Sequence, residues 1–329
     1  MRRRDFMKII GGAGAGWPFI ARAQQLERMR RIGIFEASAE MDHAVQARWS
    51  AMREALAKLG WIDGRNARFD LRFSAEDPDR IRAHADELIR LAPDVIAVSS
   101  GAATRTLVQR TRTIPIVFTN VGDPVAASIL KNIARPEGNA TGITSQYQSI
   151  AGKWLELLKE AAPSIARVAL VFTPGLVATS YFAVIDETAK ALSMRAIQTP
   201  YRHATELERA IDLFAAEPNG GLVMVPLPPS QDNRELINRL AVRHRLPTIY
   251  PQKIYGPAEG GMMSYGSDGV EVYRAVATYI DRILRGAKID ELPVQFPTKF
   301  ELVINLKTAA AIGLTIPESL LFRADEVIR

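Results

Sequence analysis

Ile32-Gly33-Ile34-Phe35, followed by the recurrence of Val45, Trp49, Met52, Leu56 and Leu59 and the stop at Gly60, is the stretch that decides the fold. The first four residues read as a short buried strand. The apolar positions after them step by four, three, four and three, which places them on one helix face, and Gly60 supplies the left-handed residue that ends such a helix. A strand followed at once by an amphipathic helix is the repeating unit of a parallel α/β sheet.

Working outward, the unit repeats. Asp77-Pro78 opens a second helix with Ile81, Ala85 and Leu88 inward, and Pro93-Asp94 closes it. Strands are predicted over 95–98, 114–118 and, after the turn at 135–139, over 140–144. A second half repeats the scheme, with strands at 167–172, 195–199, 221–225 and 247–250 and helices at 152–161, 181–192, 207–216 and 233–244. Thr205 and Glu208 read as a capping box for the third of these helices. Beyond Tyr250 the order changes: a Gly-rich strand at 260–265 leads to a long helix at 269–285 with Val270, Tyr273, Val276, Ile280 and Leu284 on one face, predicted to return to the first half. The fold class is therefore α/β, two doubly wound lobes joined by a hinge that the chain crosses more than once. The N-terminal lobe takes 31–145 plus about 266–300, and the C-terminal lobe 146–265 plus about 301–329.

Residues 1–23 stand apart. Arg3-Arg4-Asp5-Phe6-Met7-Lys8, a weakly apolar run and Ala21-Arg22-Ala23 have the order of a twin-arginine export signal: a cationic start, an apolar segment too short to span, and small residues at the cleavage site. Gly12, Gly14 and Gly16 lie inside that run with no strand before them, so they carry no dinucleotide meaning. Removing the segment takes Arg2, Arg3, Arg4, Lys8 and Arg22 against one acid, Asp5, and the formal charge falls from +6 to +2. In the remainder, basic and acidic residues alternate along helix faces, as in Arg80-Ile81-Arg82 with Asp86-Glu87, which is a solvated surface and not a nucleic-acid stripe. The chain has no cysteine, which excludes disulfides, thiolate metal sites and a lipid-bearing anchor. No apolar run after the signal approaches the roughly 20 residues of a membrane helix. A soluble periplasmic protein without direct membrane insertion is expected.

Catalytic chemistry finds no support. The histidines, His43, His84, His203 and His244, are scattered and none has a partner at metal-ligand spacing; there is no Gly-x-Ser-x-Gly elbow and no Walker loop. No cofactor and no metal are implied, and binding is favoured over reaction.

In open parallel sheets ligands meet the carboxyl ends of the strands, and candidate ligand-binding residues are sought there. Ser99, Ser100 and Gly101 bring two hydroxyls and free N–H groups to a helix start, suited to a carboxylate; ordinary capping by serine is the alternative. Asn120 and Asp123, in Thr119-Asn120-Val121-Gly122-Asp123-Pro124, shape a loop around a ligand or satisfy their own turn. Thr144 ends the next strand. In the second half Thr173 and Pro226 sit on rigid, uncharged loops, and Tyr250 and Tyr265 offer flat walls with a polar tip, or core packing.

Several stretches make the chain resemble the ABC transporter substrate-binding family of tryptophan/tyrosine type, which has the type I periplasmic binding fold. They are Arg3-Arg4-Asp5-Phe6, Glu54-Ala55-Leu56 through Gly60-Trp61-Ile62-Asp63-Gly64-Arg65-Asn66, Ile114-Pro115-Ile116-Val117-Phe118 with Gly122-Asp123-Pro124-Val125, Arg135 through Gly142, Gly260-Gly261-Met262-Met263-Ser264-Tyr265-Gly266, and Pro297 through Ala309. The resemblance implies a solute receptor that captures a small carboxylate-bearing ligand, aromatic or amino-acid-like, and presents it to an inner-membrane ABC permease and its ATPase. The alternative is a ligand-binding sensory subunit for a membrane receptor kinase. The resemblance further implies that the loop 99–101 holds the ligand carboxylate, with the loop around Asp123 nearby. The second lobe departs from the family pattern: Thr173-Pro174 stands where an Asn-Pro loop is common, and Leu227 where an acid is common. Since a buried ammonium without a partner costs several kcal/mol, this departure disfavours free amino acids unless Asp123 or another carboxylate takes over.

Overall fold

The computed structural model describes residues 28–36, 38, 40, 43–75, 77–125, 127–144, 148–174, 181–225, 233–253 and 256–329. The export segment, Pro226 and Leu227 lie outside the described residues. The first unit runs β1 (Arg30–Glu36), α1 (His43–Lys58), β2 (Ala67–Phe73), α2 (Pro78–Arg90), β3 (Val95–Val98), α3 (Gly101–Arg110), β4 (Ile116–Thr119) and β5 (Ala140–Ile143). Its five strands are all parallel, in the order β2-β1-β3-β4-β5. The second unit runs α4 (Ile150–Ala161), β6 (Arg167–Phe172), α5 (Phe182–Ala191), β7 (Arg195–Pro200), α6 (Ala204–Ala215), β8 (Gly220–Met224), α7 (Arg234–Arg243), β9 (Thr248–Tyr250) and β10 (Met263–Ser267). There follow α8 (Gly269–Leu284), β11 (Phe300–Asn305), α9 (Leu306–Ala311), α10 (Glu318–Arg323) and β12 (Glu326–Ile328). The second sheet has the order β12-β11-β10-β9-β8-β6-β7, antiparallel only between β10 and β11.

Parallel sheets are covered on both faces, so their inner strands read as continuous apolar runs, and β3, β4, β6 and β8 are buried along their whole length. On the first sheet, Phe35, Ile96, Val98 and Phe118 pack with Ile81, Leu88 and Leu107 of α2 and α3. The other face joins Ile32, Ile34, Ala97 and Val117 to Trp49, Met52 and Leu56 of α1 and to Val272, Tyr273, Val276 and Ile280 of α8. Thus α8, entered from the second sheet, completes the first core. The Trp61 indole locks this return by donating to Asp281 Oδ1 at 2.8 Å, while Arg285 Nε donates to the same oxygen at 2.6 Å.

The chain passes between the two sheets after β5, between β10 and α8, and again between α8 and β11. Thr144, fully buried, braces the first and third passages. Its hydroxyl donates to the Val121 carbonyl, its N–H donates to Gln295 O at 3.0 Å, and Gln295 N–H donates to Gly142 O at 3.0 Å. Local capping differs from the sequence reading at one helix. The helix α6 begins at Ala204 with His203 as its N-cap, and Glu206, not Glu208, reaches back, accepting from Arg202 N–H at 2.8 Å. The Thr205–Glu208 capping box is therefore not formed, because the helix starts two residues too early for it.

Candidate functional site

The winding of the first sheet reverses between β1 and β3, and that reversal leaves a crevice at their carboxyl ends. Register carries particular residues to it. Phe35 pairs with Val98, and Val98 with Phe118, so the next residues, Glu36, Ser99 and Thr119, lie side by side across three adjacent strands. Alternation puts all three on the face of Ile32, Ile34, Ala97 and Val117, beneath α1 and α8.

Glu36 is only 3% exposed. A carboxylate that deep needs donors. The Tyr273 hydroxyl of α8 donates to it, 2.9 and 3.0 Å from its two oxygens, and the Ser99 hydroxyl donates to Oε2. Burial, and then the charge of Glu36, push the Tyr273 phenol well above its ordinary range, while Arg48 of α1 pulls it down. The phenol therefore stays protonated and donates. Thr119 completes the row with a buried hydroxyl that has no hydrogen-bond partner among the described residues.

The second sheet has its own reversal between β6 and β8. Thr173 follows β6, and its buried hydroxyl likewise has no partner among the described residues. The same holds for Ser267 at the end of β10, and for Ser264 inside that strand. A buried hydroxyl left unmade costs about 1–3 kcal/mol. Three of these four stand at strand carboxyl ends, the positions a bound molecule or water reaches.

The other residues singled out in the sequence are divided by the structure. Ser100 is the N-cap of α3, accepting from Ala103 N–H at 3.3 Å, so the capping alternative describes its side chain. A Cβ built on Gly101 would meet nothing within 4 Å, so packing within the protein does not require glycine there and the start of α3 is open. Asn120 is half-buried with φ of 56°. Asp123 is exposed and shapes its turn by accepting from Val125 N–H at 2.9 Å. Tyr250 is no wall of a cleft: it is 2% exposed, packed among Tyr201, Met224 and Ile237, and its hydroxyl donates to Asn238 Oδ1. Tyr265 is half-buried, stacked on Phe300 at 5.9 Å between ring centroids.

Sequence reasoning missed Glu36 and Tyr273. Glu36 continues the inward alternation of Ile32 and Ile34, an acid where that pattern calls for an apolar residue, and this was the available signal. Tyr273 gave none, since its place on an apolar helix face reads as core.

The family model described as ABC transporter substrate binding protein matches residues 38–328. A curated relative, the tyrosine-binding protein of Clostridioides difficile (strain R20291), is 25% identical over 270 residues, covering 79% of this chain and 75% of that protein. Among solved structures, a conserved domain protein from Vibrio cholerae superposes with a TM-score of 0.83 at 26% identity, over 91% of this chain and 100% of that one. An ABC domain from Streptococcus pneumonia in complex with L-Trp gives a TM-score of 0.82 at 20% identity, over 91% and 99%. Among the described residues no helix is long and apolar enough to cross a membrane, and no cluster of His, Cys, Asp and Glu has the geometry to hold a metal ion.

Proposed function

The chain belongs to the ABC transporter substrate-binding protein family, and on that premise we propose that it captures a small amino-acid-like carboxylate between its two lobes and hands it to an inner-membrane permease and ATPase. The twin-arginine signal at 1–23 would deliver it to the periplasm. The observation that carries the ligand class is the buried carboxylate of Glu36 at the strand reversal. Ser99 spends its proton on Glu36 and is not the donor for a ligand carboxylate; the N–H groups at the open start of α3 suit that role better. Glu36 in turn offers the counter-charge that an ammonium needs. It takes the place of the acid missing at Leu227 and removes the reason to disfavour amino acids. That the relatives above include a tyrosine-binding protein and an L-Trp complex is consistent with this class. Binding to both lobes favours the closed arrangement, which is what a permease would read. No covalent step is involved. Nothing in the comparisons favours the sensory-subunit alternative.

The test is a thermal-shift screen of residues 24–329, refolded to remove carried-over ligand. It covers L-tyrosine, L-tryptophan, aliphatic amino acids, their amine-free carboxylate analogues and sugars. Ligand at a thousand times its dissociation constant adds about 4 kcal/mol, a shift of several degrees. Amino-acid hits with silent amine-free analogues support the reading, and the reverse pattern overturns it. With a hit in hand, Glu36→Gln is expected to lose at least ~2 kcal/mol of binding, about thirtyfold, by titration calorimetry. Its melting temperature should stay near wild type, because the amide oxygen still accepts from Tyr273. Gly101→Ala should leave stability unchanged or raised by a few tenths of a kcal/mol while weakening the same ligand, since its methyl group projects into the open start of α3.

A further inference from the structure

The passage from β10 to α8 carries a feature that binding alone does not require. Arg48, on α1 of the first lobe, is 6% exposed and extends its Nη2 to donate to Gln252 Oε1 at 2.9 Å. Gln252 belongs to the second lobe. It follows β9, and the preceding Pro251 carbonyl lies so close to β10 that a Cβ on Gly266 would stand 1.7 Å from its oxygen. At the other end of the passage, a Cβ on Gly269 would stand 2.8 Å from Arg48 Nε. The two glycines of Gly266-Ser267-Asp268-Gly269 thus each admit one arm of a bond thrown across the crossing strand. One turn further along α8, Tyr273 holds Glu36.

We propose that Arg48 and Gln252 form a clasp over this crossing that sets the arrangement of the two lobes, with Arg48 as a positioning residue for ligand capture. Three physical points support it. The guanidinium is almost wholly withdrawn from water, so its partners cannot be exchanged cheaply for solvent. The bond joins residues 204 apart in sequence that belong to different lobes, and hydrogen bonds weaken steeply once donor and acceptor are misaligned. A rotation about the crossing therefore changes this bond before it changes either core. Finally, Arg48 is sensed electrostatically by Tyr273, which ties the clasp to the row of Glu36, Ser99 and Thr119.

The absence of cysteine from the sequence makes the test direct. Ala83→Cys on α2 and Arg239→Cys on α7, both exposed, give one spin label per lobe. The distance distribution between them is measured by double electron-electron resonance without any ligand. Gln252→Leu, which removes the acceptor, is expected to shift or broaden that distribution by several ångströms. Gly269→Ala, which leaves both arms but pushes Arg48 aside, should do the same, and Arg48→Lys should recover part of the wild-type distribution that Arg48→Met loses. Distributions for Gln252→Leu and Gly269→Ala that superimpose on wild type overturn the clasp, even where melting temperatures fall. These two variants decide the matter if Arg48→Met does not fold. The measurement needs no ligand, so it stands or falls separately from the amino-acid reading.

Discussion

Gly266→Ala is expected to abolish the native fold or to destabilise it by about 4 kcal/mol or more, a loss in the exceptional range for single substitutions. The added Cβ would lie 1.7 Å from Pro251 O and 2.8 Å from Pro251 C. Both are backbone atoms and cannot swing aside as a side chain would. β10 is held on one edge by β9, through Met263–Ile249 and Ser264–Tyr250, and on the other by five pairs to β11. Relief therefore means separating β9 from β10 in the interior of a seven-stranded sheet. Ordinary overpacking costs about 1–3 kcal/mol because neighbouring side chains yield; here no side chain is available to yield. Equilibrium unfolding in guanidinium chloride checks the expectation, with Gly269→Ala as the paired control, whose clash is with side-chain atoms of Arg48 and not with backbone. A Gly266→Ala midpoint within about 1 kcal/mol of wild type would show that the Pro251 segment is not seated on β10 as described.

Trp154→Ala is the second large effect, expected to cost about 3–5 kcal/mol for the lost ring and about 1–3 kcal/mol more for the carbonyl left unpaired. Trp154 lies on α4, is 1% exposed, and stacks on Tyr181 with ring centroids 5.6 Å apart. Its Nε1 donates to the Tyr265 carbonyl at 2.7 Å, one residue before the Gly266 contact. The side chain thus fills the second core and pins the central strand that leads to the crossing. Trp154→Phe keeps most of the volume and loses the hydrogen bond, so its cost should be a fraction of the alanine variant's. Tryptophan fluorescence and far-UV circular dichroism followed together through the denaturant titration would separate unfolding of this lobe from the other. An alanine variant within 1 kcal/mol of wild type would contradict the packing.

Much of the fold was legible because its inner strands are short apolar runs and its helices carry one apolar face. The strands at 95–98 and 167–172 are read from sequence to the residue. The strand Ala67–Phe73 was passed over, since Arg68, Asp70 and Arg72 alternate along it. It is an edge strand of the first sheet, where charge guards an unpaired side. Strands β11 and β12 were also unread, although Leu302-Val303-Ile304 is a short buried apolar run; β12 is only three residues long, and pairing with β10 and with each other sets the place of both. At the site, the Ser99 loop was legible as a strand end before a helix, whereas the partner of its hydroxyl was not.

The sequence by itself determined the alternation of strand and helix, the two halves, the helix start at Asp77-Pro78, and the kinship with substrate-binding proteins. These follow from contacts within about four residues along the chain, which local pattern records. Only the tertiary structure decided what the halves make between them. Glu36 meets Tyr273 across 237 residues and Arg48 meets Gln252 across 204, through strand register, the order of the sheet and the return of α8 onto the first core. Those are properties of which surfaces are buried together, and no window of sequence contains them.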